Sequence, residues 1–88
     1  MSKAWKVVLD EEVLSVLLAA RFAERKKLLA ALESLKKNPY QQGDFVEHDE
    51  VDRPLDVKVF GVFLLTYWRD NLVKELRVVE IERVRMDR

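Results

Sequence analysis

Apolar residues recur at helical spacing through the first half of the chain. One group follows Asp10, a favourable helix N-cap residue, and the acids at 11 and 12 suit the positive end of a helix dipole. The apolar members of this group are Val13, Leu14, Leu17 and Leu18. This spacing predicts a first amphipathic helix.

A second apolar stripe comes next. Its members are Phe22, Leu28, Leu29, Leu32 and Leu35. Two lysines fall in the last turn, where cations suit the carbonyl end of a helix, and Pro39 prevents continuation. Nothing between Ala19 and Phe22 breaks a helix outright, so one bent helix and a two-helix hairpin both fit. We favour the hairpin, because a single helix from 11 to 37 would leave its far end unpacked in so small a domain.

The remaining segments favour strands, because Val, Phe, Tyr and Trp dominate them. Residues 5–9 are predicted to form a short opening strand, and residues 45–48 can form an edge strand. From 55 to 68 the chain is almost continuously apolar, at odd-numbered and at even-numbered positions. This pattern indicates either one central strand covered on both sides or two strands that pivot near Gly61. A long last strand over 73–84 follows a hairpin turn.

The order of these elements is β-α-α-β-β-β. It predicts an α+β fold in which a helical hairpin packs on one face of a small antiparallel sheet. The whole chain, 1–88, forms one domain, since chains divide into separate cores only at two or three times this length.

Composition and charge fit a compact domain with a charged surface. Hydrophobic residues make up 49% and charged residues 36%, and 16 Lys and Arg balance 16 Asp and Glu. The balance is uneven along the chain, because six acids lie within 44–56 and four arginines within 77–88. The neutral total therefore does not exclude contact with nucleic acid, although it predicts a weaker and more local attraction than a basic domain would have.

Three of the four arginines near the carboxyl end lie at odd-numbered positions. They are Arg77, Arg83 and Arg85, and Arg88 follows at an even-numbered position. A strand places residues of one parity on the same face, and Lys58 can join them from a neighbouring strand. This arrangement predicts a cationic patch on the exposed sheet face, suited to phosphate groups and to stabilising a phosphorane-like transition state without a metal. The alternative is a solvated charged face in which Glu75 and Glu82 pair with the arginines.

Two adjacent aromatic residues, Tyr67 and Trp68, point to opposite faces of their strand. One of them is expected in the core, and the other is free to lie at a surface. An exposed aromatic ring beside arginine suits base stacking, whereas core filling is the alternative role for both.

Common catalytic and metal-binding signatures are absent from the sequence. It has no cysteine and one histidine, which excludes thiolate metal sites and cysteine nucleophiles. The acids of 44–56 lack calcium-loop spacing, and the two glycines are isolated, so neither a metal nor a cofactor is predicted. No apolar run approaches the roughly 20 residues of a membrane-spanning helix, and no secretory signal is visible. We expect a cytoplasmic protein.

Three segments carry a family resemblance. They read LESLKKNP at 32–39, VKVFGVFLLTY at 57–67 and LRVVEIER at 76–83. With the opening strand and the helical pair, they resemble the RelE/ParE toxin superfamily of bacterial type II toxin–antitoxin systems over most of the chain. The resemblance implies a RelE-like fold.

The resemblance also implies roles for individual residues. For a RelE-like toxin that cleaves messenger RNA on the ribosome without a metal, the catalytic residues would be Lys58, Arg83 and Arg85. The residues in contact with RNA would be Arg77, Arg88 and Tyr67. The sequence departs from the family at Leu64, where the family has a central-strand arginine, and at its end, which lacks the usual tyrosine. Depending on a one-residue gap, Arg83 or Arg85 fills the place of the arginine expected beyond the last strand.

These departures favour a second hypothesis, a non-enzymatic binding module of the same fold. It would be a ParE-like poison of DNA gyrase or an inactive relative kept for partner binding. Under either hypothesis the implied partner is a cognate antitoxin that wraps over the helical hairpin and the basic sheet face, with an acidic segment covering the arginines. A homodimer paired through edge strands is a third possibility.

Overall fold

The computed structural model describes residues 4–84 and contains two helices packed on one face of a five-stranded sheet. The elements are β1 (Lys6–Leu9), α1 (Glu11–Ala19), α2 (Phe22–Lys37), β2 (Phe45–His48), β3 (Pro54–Phe60), β4 (Phe63–Asp70) and β5 (Glu75–Arg83). The predicted α+β class and the helical pair on one sheet face are confirmed.

The sheet has the strand order β1-β5-β4-β3-β2. The three later pairings are antiparallel, as predicted, and the edge strand at 45–48 is present as β2. The opening strand β1 instead runs parallel to β5, so the sheet is mixed. Strands β1 and β5 lie at opposite ends of the chain, and this long connection permits parallel pairing, which a short hairpin does not.

The helical hairpin is confirmed. Ala20 and Arg21 leave the helical region, with ψ of 150° and 156°, and separate α1 from α2. The Arg25 side chain then donates hydrogen bonds of 2.9–3.0 Å to three carbonyl oxygens near the end of α1, those of Leu17, Leu18 and Ala20. One guanidinium on α2 therefore binds three carbonyl groups at the end of α1, where a helix supplies few N–H partners of its own.

The long apolar run is two strands that turn at Gly61. This residue has a φ of 61°, a left-handed value that glycine adopts without the strain of a side chain. The following strand β4 lies in the middle of the sheet, between β3 and β5. The second of the two sequence-based alternatives is therefore confirmed.

The core lies between the helices and one sheet face. From the helices it includes Val13, Leu17, Leu28, Ala31, Leu32 and Leu35, and from the sheet Phe63, Leu65, Tyr67, Leu76, Val78 and Ile81. We call this side of the sheet the helix face. The opposite side, which no helix of residues 4–84 covers, is the free face.

A β-bulge interrupts the pairing of β4 with β5. Leu65 lies opposite Ile81 and Thr66 opposite Glu80, but Tyr67 lies opposite Val78. Strand β5 therefore carries one extra residue, Val79. Side chains alternate between the two faces of a strand. One extra residue therefore changes whether the odd-numbered or the even-numbered side chains face the core. Val78 and Ile81 both lie in the core although one is even-numbered and the other odd.

Gly43 lies where the loop after α2 crosses very close to β3. A β-carbon at this position would come within 2.6 Å of both the backbone N and the backbone O of Val57. The backbone N–H of Gly43 also donates to Oδ1 of Asp56, at 3.0 Å.

We therefore expect Gly43→Ala to lower the free energy of unfolding by roughly 1–2 kcal/mol, because the loop must move away from β3. Urea denaturation measures this change. Ser34→Ala, an exposed substitution on α2, is the control and should change stability by less than about 0.5 kcal/mol. Equal stability of the Gly43 variant and the natural chain would contradict the close approach.

Candidate functional site

The predicted patch of arginines is divided between the two sheet faces. Arg77 lies opposite Trp68 on the free face, whereas Arg83 lies opposite Phe63 on the helix face. Arg83 forms an ion pair with Glu24 of α2, and its guanidinium carbon is 5.7 Å from the Phe63 ring centroid. The prediction that these arginines share one face is wrong, because the bulge at Val79 reverses the alternation between them.

Lys58 is also separated from Arg77. It lies opposite Leu65, a core residue, and therefore faces the helices. Its Nζ atom is 5.9 Å from the ring centroid of Phe60, two residues along the same strand. Lys58 and Arg83 thus share the helix face. Arg85 and Arg88 lie outside the described residues.

Tyr67 is a core residue. Its side chain has no exposed surface, and its hydroxyl donates a 3.1 Å hydrogen bond to the carbonyl oxygen of Gln41. A fully buried ring has no face on which a base can stack, so the contact of Tyr67 with RNA stays a prediction that would require the ring to leave the core. Trp68, its neighbour, is the aromatic residue at the surface, half-buried on the free face.

The environment of Tyr67 gives a pH-dependent prediction. Burial, and then the nearby Asp56 carboxylate, raise the pKa of the Tyr67 phenol from 10.0 to about 12. The folded protein therefore keeps this proton at pH values where the unfolded chain has lost it. We expect the free energy of unfolding to fall between about pH 10 and pH 12, by up to about 1.4 kcal/mol per pH unit from this group.

Urea denaturation at several pH values between 9 and 12 measures this dependence. Tyr67→Phe lacks the ionisable hydroxyl, so its free energy of unfolding should fall less steeply between pH 10 and pH 12. Tyr40→Phe, at an exposed position, should show the same fall as the natural chain. An identical pH dependence in Tyr67→Phe and the natural chain would refute the raised pKa.

Two guanidinium groups approach the indole of Trp68. The Arg53 guanidinium carbon is 4.3 Å from the ring centroid and that of Arg77 is 5.9 Å from it. We call these three residues the Trp68 cluster. They lie at a cavity of about 300 Å³, lined by Asp10, Asp49, Arg53, Leu55, Trp68, Arg77 and Val79. Arginine over an aromatic face is a favourable cation–π arrangement.

Both arginines of the Trp68 cluster are already bonded to carboxylates. Arg53 pairs with Asp49 at 3.3 Å, and Arg77 pairs with Glu75 at 2.8 Å. The Asp49 carboxylate also accepts hydrogen bonds from the backbone N–H groups of Val51 and Arg53, which hold the β2–β3 hairpin tip in place. The positive charge of the cluster is therefore largely neutralised within the chain.

The rest of the free face has an apolar surface on β3 and β4, which we call the floor. Leu55 and Val57 of β3 are 9% and 1% exposed, yet neither belongs to the core under the helices. Thr66 lies opposite Val57 and is also buried, and Leu64 lies opposite Val59. Because no helix of residues 4–84 covers this face, the burial of these residues shows that neighbouring side chains enclose the floor.

Acidic side chains border this floor. Glu80 and Glu82 lie opposite Thr66 and Leu64, and Glu47 of β2 lies opposite Leu55. Burial, followed by the negative charges of Glu82, Glu47 and Glu12, raises the pKa of the Glu80 carboxyl. These carboxylates are therefore close enough to repel one another.

Comparison with known proteins gives a match at the level of structure. No protein-family model matches the chain, and no curated protein matches it significantly. Among solved structures, the chain is similar to one from the archaeal RelE–RelB complex of Pyrococcus horikoshii OT3, with a TM-score of 0.72 and 14% sequence identity over 92% of this chain and 96% of that chain. The chain has the RelE fold.

Within this RelE fold, Leu64 takes the place where the family resemblance leads us to expect an arginine. Leu64 lies on the free face, between Val59 of β3 and Glu82 of β5. An aliphatic side chain in that place cannot bind phosphate. The RelE fold of this chain therefore presents an apolar and acidic surface where a basic one was predicted.

Arg53 is the residue of the site that the sequence did not reveal. It lies in the acidic segment 44–56, for which the sequence predicts neither a metal nor a cofactor. The available signal was its spacing from Asp49, because an acid four residues before a base can bond both the side chain and the backbone of a tight loop. The contact with Trp68 depends on how the hairpin folds back over the sheet.

No helix within 4–84 is long and apolar enough to cross a membrane. In the same range no three His, Cys, Asp or Glu side chains are grouped as ligands for a metal ion.

Proposed function

We propose that the protein is the toxin-fold component of a toxin–antitoxin pair and acts in the cytoplasm by binding other proteins. The observation that carries this proposal is the match, over nearly the full length of both chains, to a protein whose structure was solved in the RelE–RelB complex. A fold that presents a free sheet face and an exposed helical hairpin offers extended surfaces to a partner chain.

The distribution of cations favours protein binding over RNA cleavage. Cleavage without a metal requires several positive groups to converge on one phosphate. Among residues 4–84, Lys58 and Arg83 lie on the helix face and Arg77 lies on the free face. The carboxylates of Glu80 and Glu82 on the free face would repel a phosphate backbone.

Co-expression tests this proposal. Inducing the protein alone in bacteria should arrest growth. A partner encoded by a short reading frame next to its gene should restore growth when co-expressed and should co-purify with the protein as a stable complex. Normal growth after induction, together with no complex between the two products, would sink the proposal.

RNA cleavage is the second candidate function, and the Trp68 cluster is the observation that favours it. An indole flanked by two guanidinium groups suits a base and its phosphate. In this role Arg77 and Arg88 would bind RNA, and the catalytic groups would be Lys58, Arg83 and Arg85. Those groups would have to converge on one phosphate through a rearrangement of the carboxyl end of the chain.

A further inference from the structure

We propose that the free face binds a cationic, partly apolar segment of the partner protein. This inference rests on the proposed function and specifies the partner's chemistry. It reverses the sign of charge expected from the sequence, where the sheet face was predicted to be basic and its partner acidic.

The apolar floor supplies the first argument. At its margin, Phe45 and Val59 are each 45% exposed, while Leu55 and Val57 beneath them are buried. Phe45 lies opposite Val57, so these four side chains form one continuous apolar surface on β2 and β3. Phe45 and Val59 are the members still in contact with water, and covering them with apolar side chains of another chain favours association.

The charges beside the floor supply the second argument. Among the described residues, Glu47, Glu80 and Glu82 have no basic side chain within ion-pair distance, whereas both arginines of the Trp68 cluster have a carboxylate partner. Lys6 also lies on the free face, but on the outer strand β1 beyond β5. The uncompensated charge beside the floor is thus negative. Lysine or arginine side chains of a partner would relieve the mutual repulsion of these carboxylates, whereas phosphates would increase it.

The dimensions fit one extended segment. Glu80 and Glu82 lie on β5 and Glu47 lies on β2, and the two strands between them, β4 and β3, provide the floor. At about 4.8 Å between neighbouring strands, the acidic borders are roughly 14 Å apart. In an extended chain in which basic and apolar residues alternate, the apolar side chains contact the floor from one side of the chain. The basic side chains leave from the other side and reach the carboxylates at the borders because their long stems are flexible.

Calorimetric titration of the full chain tests the inference. The probes are two synthetic peptides of about twelve residues, one alternating lysine with valine and the other alternating glutamate with valine, and a single-stranded RNA of similar length. We expect the lysine peptide to bind about tenfold or more tightly than the glutamate peptide, with an affinity that decreases as salt increases.

Two variants with equal change in charge locate the binding. Glu80→Gln/Glu82→Gln should weaken binding of the lysine peptide about three- to tenfold. Glu11→Gln/Glu33→Gln, at exposed positions on the helices, should leave it unchanged. Because all four residues are exposed and glutamine is isosteric with glutamate, both variants should fold.

Three results would overturn the inference. They are equal affinity for the two peptides, equal weakening by the two double variants, and tighter binding of the RNA than of the lysine peptide. The proposed function is tested separately by the complex with the adjacent gene product. If that complex forms and Glu80→Gln/Glu82→Gln leaves its affinity unchanged, the inference fails and the proposed function stands.

Discussion

Leu65→Ala is expected to lower the free energy of unfolding by about 3–4 kcal/mol. Leu65 lies in the central strand β4 and has no exposed surface. It packs in the core between the sheet and the helices, where removing its branched end leaves a cavity that surrounding side chains only partly fill. Since a domain of this size is stable by roughly 4–13 kcal/mol, the substitution removes a large part of the total.

Urea denaturation followed by circular dichroism measures this effect. The urea concentration at the midpoint of unfolding should fall. The slope of the unfolding free energy against urea concentration should stay the same, because the surface exposed on unfolding changes little. Leu72→Ala provides a matched control, since Leu72 is 96% exposed in the β4–β5 turn and should change stability by less than about 0.5 kcal/mol. Similar losses in both variants would contradict the position of the core.

Asp56→Ala has the second largest expected effect, a loss of about 2–3 kcal/mol. Oδ2 of Asp56 accepts a 2.6 Å bond from Arg69, and Oδ1 accepts the bond from Gly43. Arg69 also donates to the carbonyl oxygens of Pro39 and Gln41, each at 3.3 Å. The pair therefore ties the loop after α2 to the helix face, and removing the carboxylate leaves a largely buried guanidinium without its counter-ion.

A double-mutant cycle isolates this interaction. Asp56→Ala/Arg69→Met should be more stable than the sum of the single losses predicts, by about 1–3 kcal/mol, because the unpaired charge is then absent. Glu75→Gln, in the more exposed pair with Arg77, is the control and should cost less than about 1 kcal/mol. Strict additivity of the two single substitutions would show that the pair does not couple the loop to the sheet.

The main elements could be predicted because each one has a strong local pattern. Asp10 and Pro39 mark the outer limits of the helices, and the apolar spacing between them identifies their inner faces. The hairpin followed from an argument about packing, since no residue between the helices breaks a helix. Gly61 marked the turn within the apolar run, where a positive φ is now seen.

The faces of the last strand could not be predicted. Valine is common in strands, and the residues around Val79 also favour a strand. Nothing in the sequence therefore indicates that Val79 is the extra residue of a bulge. Regular alternation of side chains through Val79 would put Arg77 and Arg83 on one face. The pairing with β4 places them on opposite faces. A single unpaired residue thus changes the interpretation of the candidate site while leaving the predicted fold intact.

Long-range contacts account for the remaining differences. The parallel pairing of β1 with β5 joins residues from opposite ends of the chain, and the contact of Arg53 with Trp68 joins a hairpin tip to the middle of the sheet. Local periodicity carries no information about either. The acidic borders of the free face were also hidden, because Glu47 and Glu80 are far apart in sequence and are brought to the same sheet face only by the strand order.

Transcript mapping tests the central claim, that this RelE fold acts through protein contacts. The protein is induced in bacteria that lack the adjacent gene, and the ends of messenger RNAs are mapped before and after induction. We predict growth arrest with intact messages and no new ends. New ends within translated messages that appear with the natural chain and disappear with Arg83→Ala would contradict this account and favour RNA cleavage.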